Sequence, residues 1–217
     1  MASPPDYLEV NIDVFEQKNQ RAQVVPELSP AELVNAILEE FGDDLDYLGS
    51  DAAQYQLRKA DAPGGLDNSL SVGEQLSPGD RLVLEELEPT VPNGTEPASV
   101  PIYLQDVAGH RSFRIGFLPA YVGRQDTNLA GNDLVAVDLS TASGGSNVSR
   151  RHLKLWEESG EFWVQAASNN PAAVVRTDRT EVAVAQPPQK TPLRSLDVIR
   201  LDRSGLTLKF IVRGELP

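Results

Sequence analysis

Asn147-Val148-Ser149-Arg150-Arg151-His152-Leu153 decides how the second half of the chain is read. It sets a small hydroxyl beside two guanidinium groups and a histidine, with apolar residues at 148 and 153. Upstream stands Val122-Gly123-Arg124 and downstream Ser168-Asn169-Asn170. Each of these segments reads as a loop between strands that offers hydrogen-bond donors. Three such loops point to a pocket for a small dianion. Arginine presents a planar fork of donors that matches phosphate oxygens, and serine adds a compact hydroxyl.

Around these loops, from Val100 onward, short apolar runs alternate with turn signals and no long amphipathic helix intervenes. Strands are expected over 102–104, 112–118, 120–123, 134–138, 153–157, 161–165, 173–176, 181–184, 197–201 and 207–213. That pattern specifies a β-sandwich. Trp156, Phe162, Trp163, Phe210 and Ile211 are expected in or beside its core.

The constellation resembles the forkhead-associated (FHA) domain, a module that binds phosphothreonine peptides. The resemblance covers residues 100–213. It rests on Gly123-Arg124, on Ser149-Arg150-Arg151-His152 further along, on Asn169-Asn170 after the next strand pair, and on Leu196-Asp197-Val198-Ile199-Arg200-Leu201 before the closing strand. It implies that Arg124 makes the main phosphate contact and that Ser149 donates its hydroxyl. It implies further that Arg150 reaches the phosphate or an adjacent carbonyl, that Asn170 holds the peptide backbone, and that Asn169 lies near the threonine methyl group. Gly123 and His152 would support the site, the histidine by bracing the pocket loops from inside. Arg151 alternates in direction with Arg150 if a strand begins here, so it is expected on the surface. The family pattern is broken at one place. Most family members have Asn-Gly-Thr where this chain has Asn170-Pro171-Ala172. Proline fixes φ and removes a donor, so the turn must differ and the position of Asn170 is in question.

The first half has another character. Residues 7–15 alternate apolar and polar as a half-buried strand does, 17–20 read as a turn, and 21–25 read as the returning strand. Ser29 and Glu32 form a capping box with Pro30 at the first helical position. Leu33, Val34, Ile37, Leu38 and Phe41 make one apolar stripe, and Gly42 ends the helix. A short strand over 55–58, a turn at Pro63-Gly64-Gly65 and a last strand over 80–85 follow. Hairpin, helix, short strand and final strand is the order of a ubiquitin-like β-grasp, and residues 70–84 are similar to the closing segment of many ubiquitin-like domains. Conjugation needs a free C-terminal Gly-Gly. Here Gly64-Gly65 is internal, so a non-covalent module is expected.

The expected organisation is a disordered N-terminus over 1–6, an α+β ubiquitin-like β-grasp domain over 7–88, a Pro-rich linker over 89–99, an all-β FHA-type β-sandwich over 100–213 and a tail over 214–217. Charge divides the same way. Residues 1–90 carry 19 acidic against 5 basic side chains, net −14, and residues 91–217 carry 13 against 14, net +1. The acidic half should repel nucleic acid and anionic membrane.

Composition narrows the chemistry. The chain has no cysteine, which excludes disulfides and thiol nucleophiles and fits a reducing compartment. Its two histidines, His110 and His152, make a metal site unexpected, and no cofactor is expected. Gly144-Gly145 is not followed by Gly-Lys-Ser/Thr, so a nucleotide loop is not expected. The start of the chain lacks a basic segment and an apolar run, and no run approaches eighteen apolar residues, so a cytoplasmic protein without membrane insertion is expected. With no nucleophile, metal or nucleotide motif, the chain is not expected to be an enzyme. The expected function is a non-enzymatic signalling adaptor for phosphothreonine-containing proteins, a Ser/Thr kinase or its substrates. The alternative is a structural interaction module whose sandwich has lost phosphate binding. Pro171 favours that alternative, and the set Arg124, Ser149 and Arg150 opposes it.

Overall fold

The computed structural model describes residues 7–126 and 128–214. The chain divides into two units, Met1–Glu88 and Pro89–Pro217.

In the first unit, β1 (Leu8–Val14) and β2 (Gln17–Val24) form an antiparallel hairpin. Then come α1 (Pro30–Phe41), β3 (Tyr55–Lys59), the short α2 (Val72–Gln75) and β4 (Arg81–Glu86). The sheet order is β2-β1-β4-β3, with β1 parallel to β4 and the outer pairs antiparallel. The capping box forms: the Ser29 hydroxyl oxygen accepts from the Glu32 N–H, and the Glu32 carboxylate accepts from the Ser29 N–H at 2.8 Å. Leu33, Val34, Ile37 and Leu38 are buried, as are Val10, Ile12, Leu57, Leu82 and Leu84 on the strands.

The hairpin reverses earlier than expected. Gln17–Gln20 belong to β2, and the turn is Phe15-Glu16. Phe15 takes a positive φ of 53° while its ring packs edge-on against Tyr47 and Tyr55, with centroids 5.8 and 6.3 Å away. Asn19, at φ 56°, absorbs the extra residue of a bulge, and its N–H donates to the Asp13 carboxylate at 2.9 Å. The polarity that imitates a turn over these residues is that of a largely exposed strand start.

The second unit is all strand apart from single turns of 3₁₀ helix. Its strands are β5 (Glu96–Asp106), β6 (Arg111–Leu118), β7 (Ala120–Gly123), β8 (Val135–Asp138), β9 (Leu153–Glu158), β10 (Glu161–Ala166), β11 (Ala172–Val175), β12 (Glu181–Ala183), β13 (Thr191–Leu193), β14 (Val198–Leu201) and β15 (Leu206–Val212). One sheet has the order β13-β10-β9-β7-β8 and the other β12-β11-β14-β15-β5-β6. Inward side chains of both, such as Val122, Leu155 and Val164 from the first and Leu104, Ile199 and Phe210 from the second, meet in one core. The unit is a β-sandwich.

Two expectations are corrected. The segment read as linker is already strand from Glu96, with Glu96 and Pro97 opposite Leu118 and Phe117 before the register shifts to Ile102 opposite Ile115. Pairing of β5 with β15 covers only Ile102 to Asp106, so the earlier part has one neighbour, and an edge stretch accommodates Pro97 and Pro101. The tryptophans are not in the core. β9 and β10 turn Leu153, Leu155, Val164 and Ala166 inward, which puts Trp156 and Trp163 opposite each other on the outer face. Phe210 and Ile211 are buried as expected, and Phe162 packs edge-to-face on Phe210 at 5.4 Å. No helix among the described residues is long and apolar enough to cross a membrane.

Candidate functional site

β9 lies between β7 and β10 and runs antiparallel to both, so the end of β7, the start of β9 and the end of β10 share one end of the sheet. The three loops that carry the candidate residues leave from that end.

Gly123 is where two of them cross. A Cβ at this position would stand 2.8 Å from the Ser149 carbonyl oxygen and closer still to that of Arg150, contacts that real Cβ atoms do not make. Glycine lets the 149–150 backbone lie directly on the end of β7. The next residue fastens the crossing: the Arg124 N–H donates to the Ser149 carbonyl at 3.2 Å, and Arg124 Nε donates to the Val148 carbonyl at 2.7 Å. The guanidinium is therefore fixed along one edge. Its two Nη groups make no hydrogen bond or ion pair among the described residues.

Ser149 is half-buried, and its Oγ accepts from Asn170 Nδ2 at 2.8 Å. The hydroxyl hydrogen is left for another acceptor. Asn170 keeps this place despite Pro171. Its own N–H donates to the Ser168 hydroxyl at 3.2 Å, and the Pro171 carbonyl accepts from the Asp202 N–H at 3.2 Å. The turn that proline alters is thus closed by a side-chain hydroxyl before it and a backbone contact after it. Asn169 is exposed and makes no hydrogen bond among the described residues.

His152 ties the loops from below. It is fully buried, and Nδ1 accepts from the Ser149 N–H at 3.3 Å. Its backbone N–H donates to the Val122 carbonyl and its carbonyl accepts from the Ala167 N–H, both at 2.9 Å. Burial pushes its pKa down, while the Pro171 carbonyl and the Asp202 carboxylate pull the other way. With Nδ1 an acceptor, the neutral ring carries its proton on Nε2, which is enclosed and makes no hydrogen bond of ordinary geometry.

Two features escape sequence reasoning. Arg150 is exposed and engaged in an ion pair, its Nε 2.6 Å from Asp126 Oδ2. Asp126 lies in an irregular loop, where nothing periodic marks it. Its other oxygen, Oδ1, accepts from the Asn128 N–H at 3.0 Å. The carboxyl is held below the usual range by that N–H first and then by the charges of Arg150 and Arg124. Arg151 is more than a surface charge. Its Nη2 donates to the Gly131 carbonyl at 2.7 Å and its guanidinium lies 5.8 Å over the Tyr121 ring, which ties the following loop to the sheet.

The structure thus brings Arg124, Ser149, Arg150 and Asn170 together on the supports Gly123 and His152, and leaves Asn169 exposed beside them. Guanidinium donors and a hydroxyl hydrogen that have no partner among the described residues suit an anion with several acceptor oxygens. Among the described residues no group of three His, Asp or Glu could hold a metal ion.

No family model and no curated protein matches the chain. Solved structures match parts of it. A structure of Mycobacterium tuberculosis EmbR in complex with a low-affinity phosphopeptide matches over 54% of this chain, at 18% identity and a TM-score of 0.39, and the match spans 26% of the EmbR chain. The FHA domain of human APLF in complex with an XRCC1 bisphospho peptide matches over 51% of this chain and 97% of its own, at 16% identity and a TM-score of 0.37. A designed protein based on ubiquitin matches over 40% of this chain and 96% of its own, at 20% identity and a TM-score of 0.31.

Proposed function

We propose that the second unit is an FHA-type module that binds phosphothreonine-containing segments of partner proteins, and that the protein is a non-enzymatic, cytoplasmic signalling adaptor downstream of a Ser/Thr kinase. The observation that carries this reading is Arg124, pinned through Nε to the Val148 carbonyl and through its backbone N–H to the Ser149 carbonyl, with neither Nη group in a hydrogen bond or ion pair among the described residues. A phosphothreonine brings a charge of about −1.5 to −2 and three strong acceptor oxygens. Arg124 supplies a prepositioned fork, Ser149 a neutral donor, and Arg150 further positive charge. Asn170, with Nδ2 on Ser149, has Oδ1 left to accept from a peptide N–H. Pinning matters because a side chain already ordered loses little entropy on binding.

The second reading is a sandwich that has lost phosphate binding and serves constitutive assembly. Pro171 is the residue that favours it. The bond between Asn170 and Ser149 weighs against it, since the asparagine stays at the site in spite of the proline. Screening an oriented phosphothreonine peptide library against the matching unphosphorylated library tests between the two. Preference for the phosphorylated library supports the first reading, and equal capture supports the second.

The same proposal takes the first unit as a ubiquitin-like β-grasp that acts without conjugation. Its mixed sheet with a central parallel pair and one long helix supports the fold. Its Gly64-Gly65 is a paired turn, with Gly64 at φ 86° and Gly65 bridged to Arg58, which supports the non-covalent role. Recovery of the protein joined to another through a processed glycine at 65 contradicts that role.

A further inference from the structure

We propose that Asp126 sets the affinity of this site by competing with the phosphate dianion for Arg150. The inference rests on the phosphothreonine reading above and adds a residue which that reading does not contain.

The two oxygens of Asp126 do different things. Oδ1 accepts from the Asn128 N–H at 3.0 Å and from Asn128 Nδ2 at 3.2 Å, and so shapes the loop. Oδ2 accepts no hydrogen bond from Asn128 and holds Arg150 Nε at 2.6 Å. Of the two arginines at the site, Arg124 is therefore open to a ligand and Arg150 already has an anion. The Arg150 side chain is 59% exposed, so it can exchange one anionic partner for another without opening the core. The chemistry favours that exchange. Asp126 is the more covered partner, at 18% exposure, so the arginine is the side that can turn away, and the incoming group carries roughly twice the charge of a carboxylate. The carboxylate does not close the site; it scales the affinity down. A ligand that offers only a dianion must work against Asp126, whereas a peptide that also engages Asn170 has further contacts to spend. Asp126 acts through Arg150 and is a positioning residue.

The split roles also make the idea separable from loop folding. Asp126→Asn keeps an Oδ1 acceptor for the Asn128 N–H and replaces the charged Oδ2 with an NH₂ that cannot hold a guanidinium. Asp126→Ser, which also accepts within such a turn, is the second variant. The probe is a pool of fluorescent peptides degenerate around a fixed phosphothreonine, with a matched threonine pool, titrated against the full chain. Both variants are expected to bind the phosphorylated pool about two- to fivefold more tightly than wild type, the gain that matches about 0.4–1 kcal/mol. In an Arg150→Ala background the gain should shrink clearly, leaving only the charge effect of Asp126 on Arg124 and on the phosphate itself, a coupling that a merely structural role for Asp126 does not produce. A gain of equal size with and without Arg150 overturns the competition. So does unchanged affinity in variants whose melting temperature matches wild type. Equal binding of the two pools by wild type overturns the phosphothreonine reading itself, and the proposal with it. If Asp126→Asn does not fold, the Asp126→Ser cycle decides by the same outcomes.

Discussion

Asn170 donates from Nδ2 to the hydroxyl oxygen of Ser149 at 2.8 Å, joining the loop after β10 to the loop before β9. Pro171 lacks an N–H, but the neighbouring Asn170 N–H already goes to Ser168 Oγ, and the Pro171 carbonyl goes to the Asp202 N–H. Pro171→Gly should therefore leave phosphopeptide affinity within about twofold of wild type. It should lower stability by roughly 0.4–1 kcal/mol, through the greater freedom of the unfolded chain. Paired titration and thermal melting check both. A tenfold change in affinity contradicts the view that the turn is closed without the proline.

Asn170→Ala removes the bond itself. A hydrogen bond of this kind contributes about 0.5–1.5 kcal/mol, and on the proposed reading a bound peptide loses a backbone partner as well. Affinity should fall by roughly tenfold in peptide titrations, with only a modest drop in melting temperature.

Gly123→Ala tests the crossing of the loops. The new methyl meets two backbone carbonyls, which cannot give way as a side chain would. Destabilisation of about 1–3 kcal/mol, the cost of overpacking, is expected in a denaturant titration, together with weaker phosphopeptide binding as Ser149 and Arg150 shift. Retained stability and affinity contradict the crossing.

His152 gives the sandwich a pH dependence. Its folded pKa is lowered, chiefly by burial. The unfolded chain, with a histidine pKa of about 6.5, therefore takes the proton more readily than the folded one. Its share of stability is complete above pH ~6.5 and is lost as pH falls toward the lower folded value. Melting temperature measured between pH 7.5 and 5.5 should decline on the acid side, and His152→Asn, which keeps an acceptor for the Ser149 N–H, should flatten that decline. Peptide affinity should weaken below pH ~6 as well, for a separate reason, because the phosphate takes up its second proton there.

Much of this architecture is legible along the chain, and what is not has identifiable causes. The capping box at Ser29 and Glu32 is a local device whose geometry depends on four residues, so it reads correctly. β8, β9 and β10 read well because one face of each is buried and alternation reports that directly, whereas β11, buried at Ala172, Ala173 and Val174, reads by its unbroken apolar run. Phe15 at a positive φ is set by its contacts with Tyr47 and Tyr55, which lie far away in sequence, and the turn moves accordingly. Trp156 and Trp163 look like core residues by size alone. The inward places of β9 and β10 are already taken by Leu155 and Val164, so the rings stand outside. The residues around the site follow the same division. Arg124 directly follows β7, and Ser149 and Asn170 lie in the loops that flank β9 and β10, where the alternation breaks visibly. Asp126 and the anchoring of Arg151 on Gly131 depend on the path of an irregular loop, which periodicity does not describe.

The most direct test is a titration of the full chain with one threonine peptide in phosphorylated and unphosphorylated form, for wild type, Arg124→Ala, Arg124→Lys and Ser149→Ala. A hydrogen bond to a charged group contributes roughly 1.5–3 kcal/mol, and 1.4 kcal/mol is about tenfold in affinity. Wild type should bind only the phosphorylated peptide well. Arg124→Ala should lose about 10- to 100-fold, Arg124→Lys should recover part of that, since it keeps the charge without the fork, and Ser149→Ala should lose less. Equal affinity for the two peptides, or wild-type affinity in Arg124→Ala, contradicts the account.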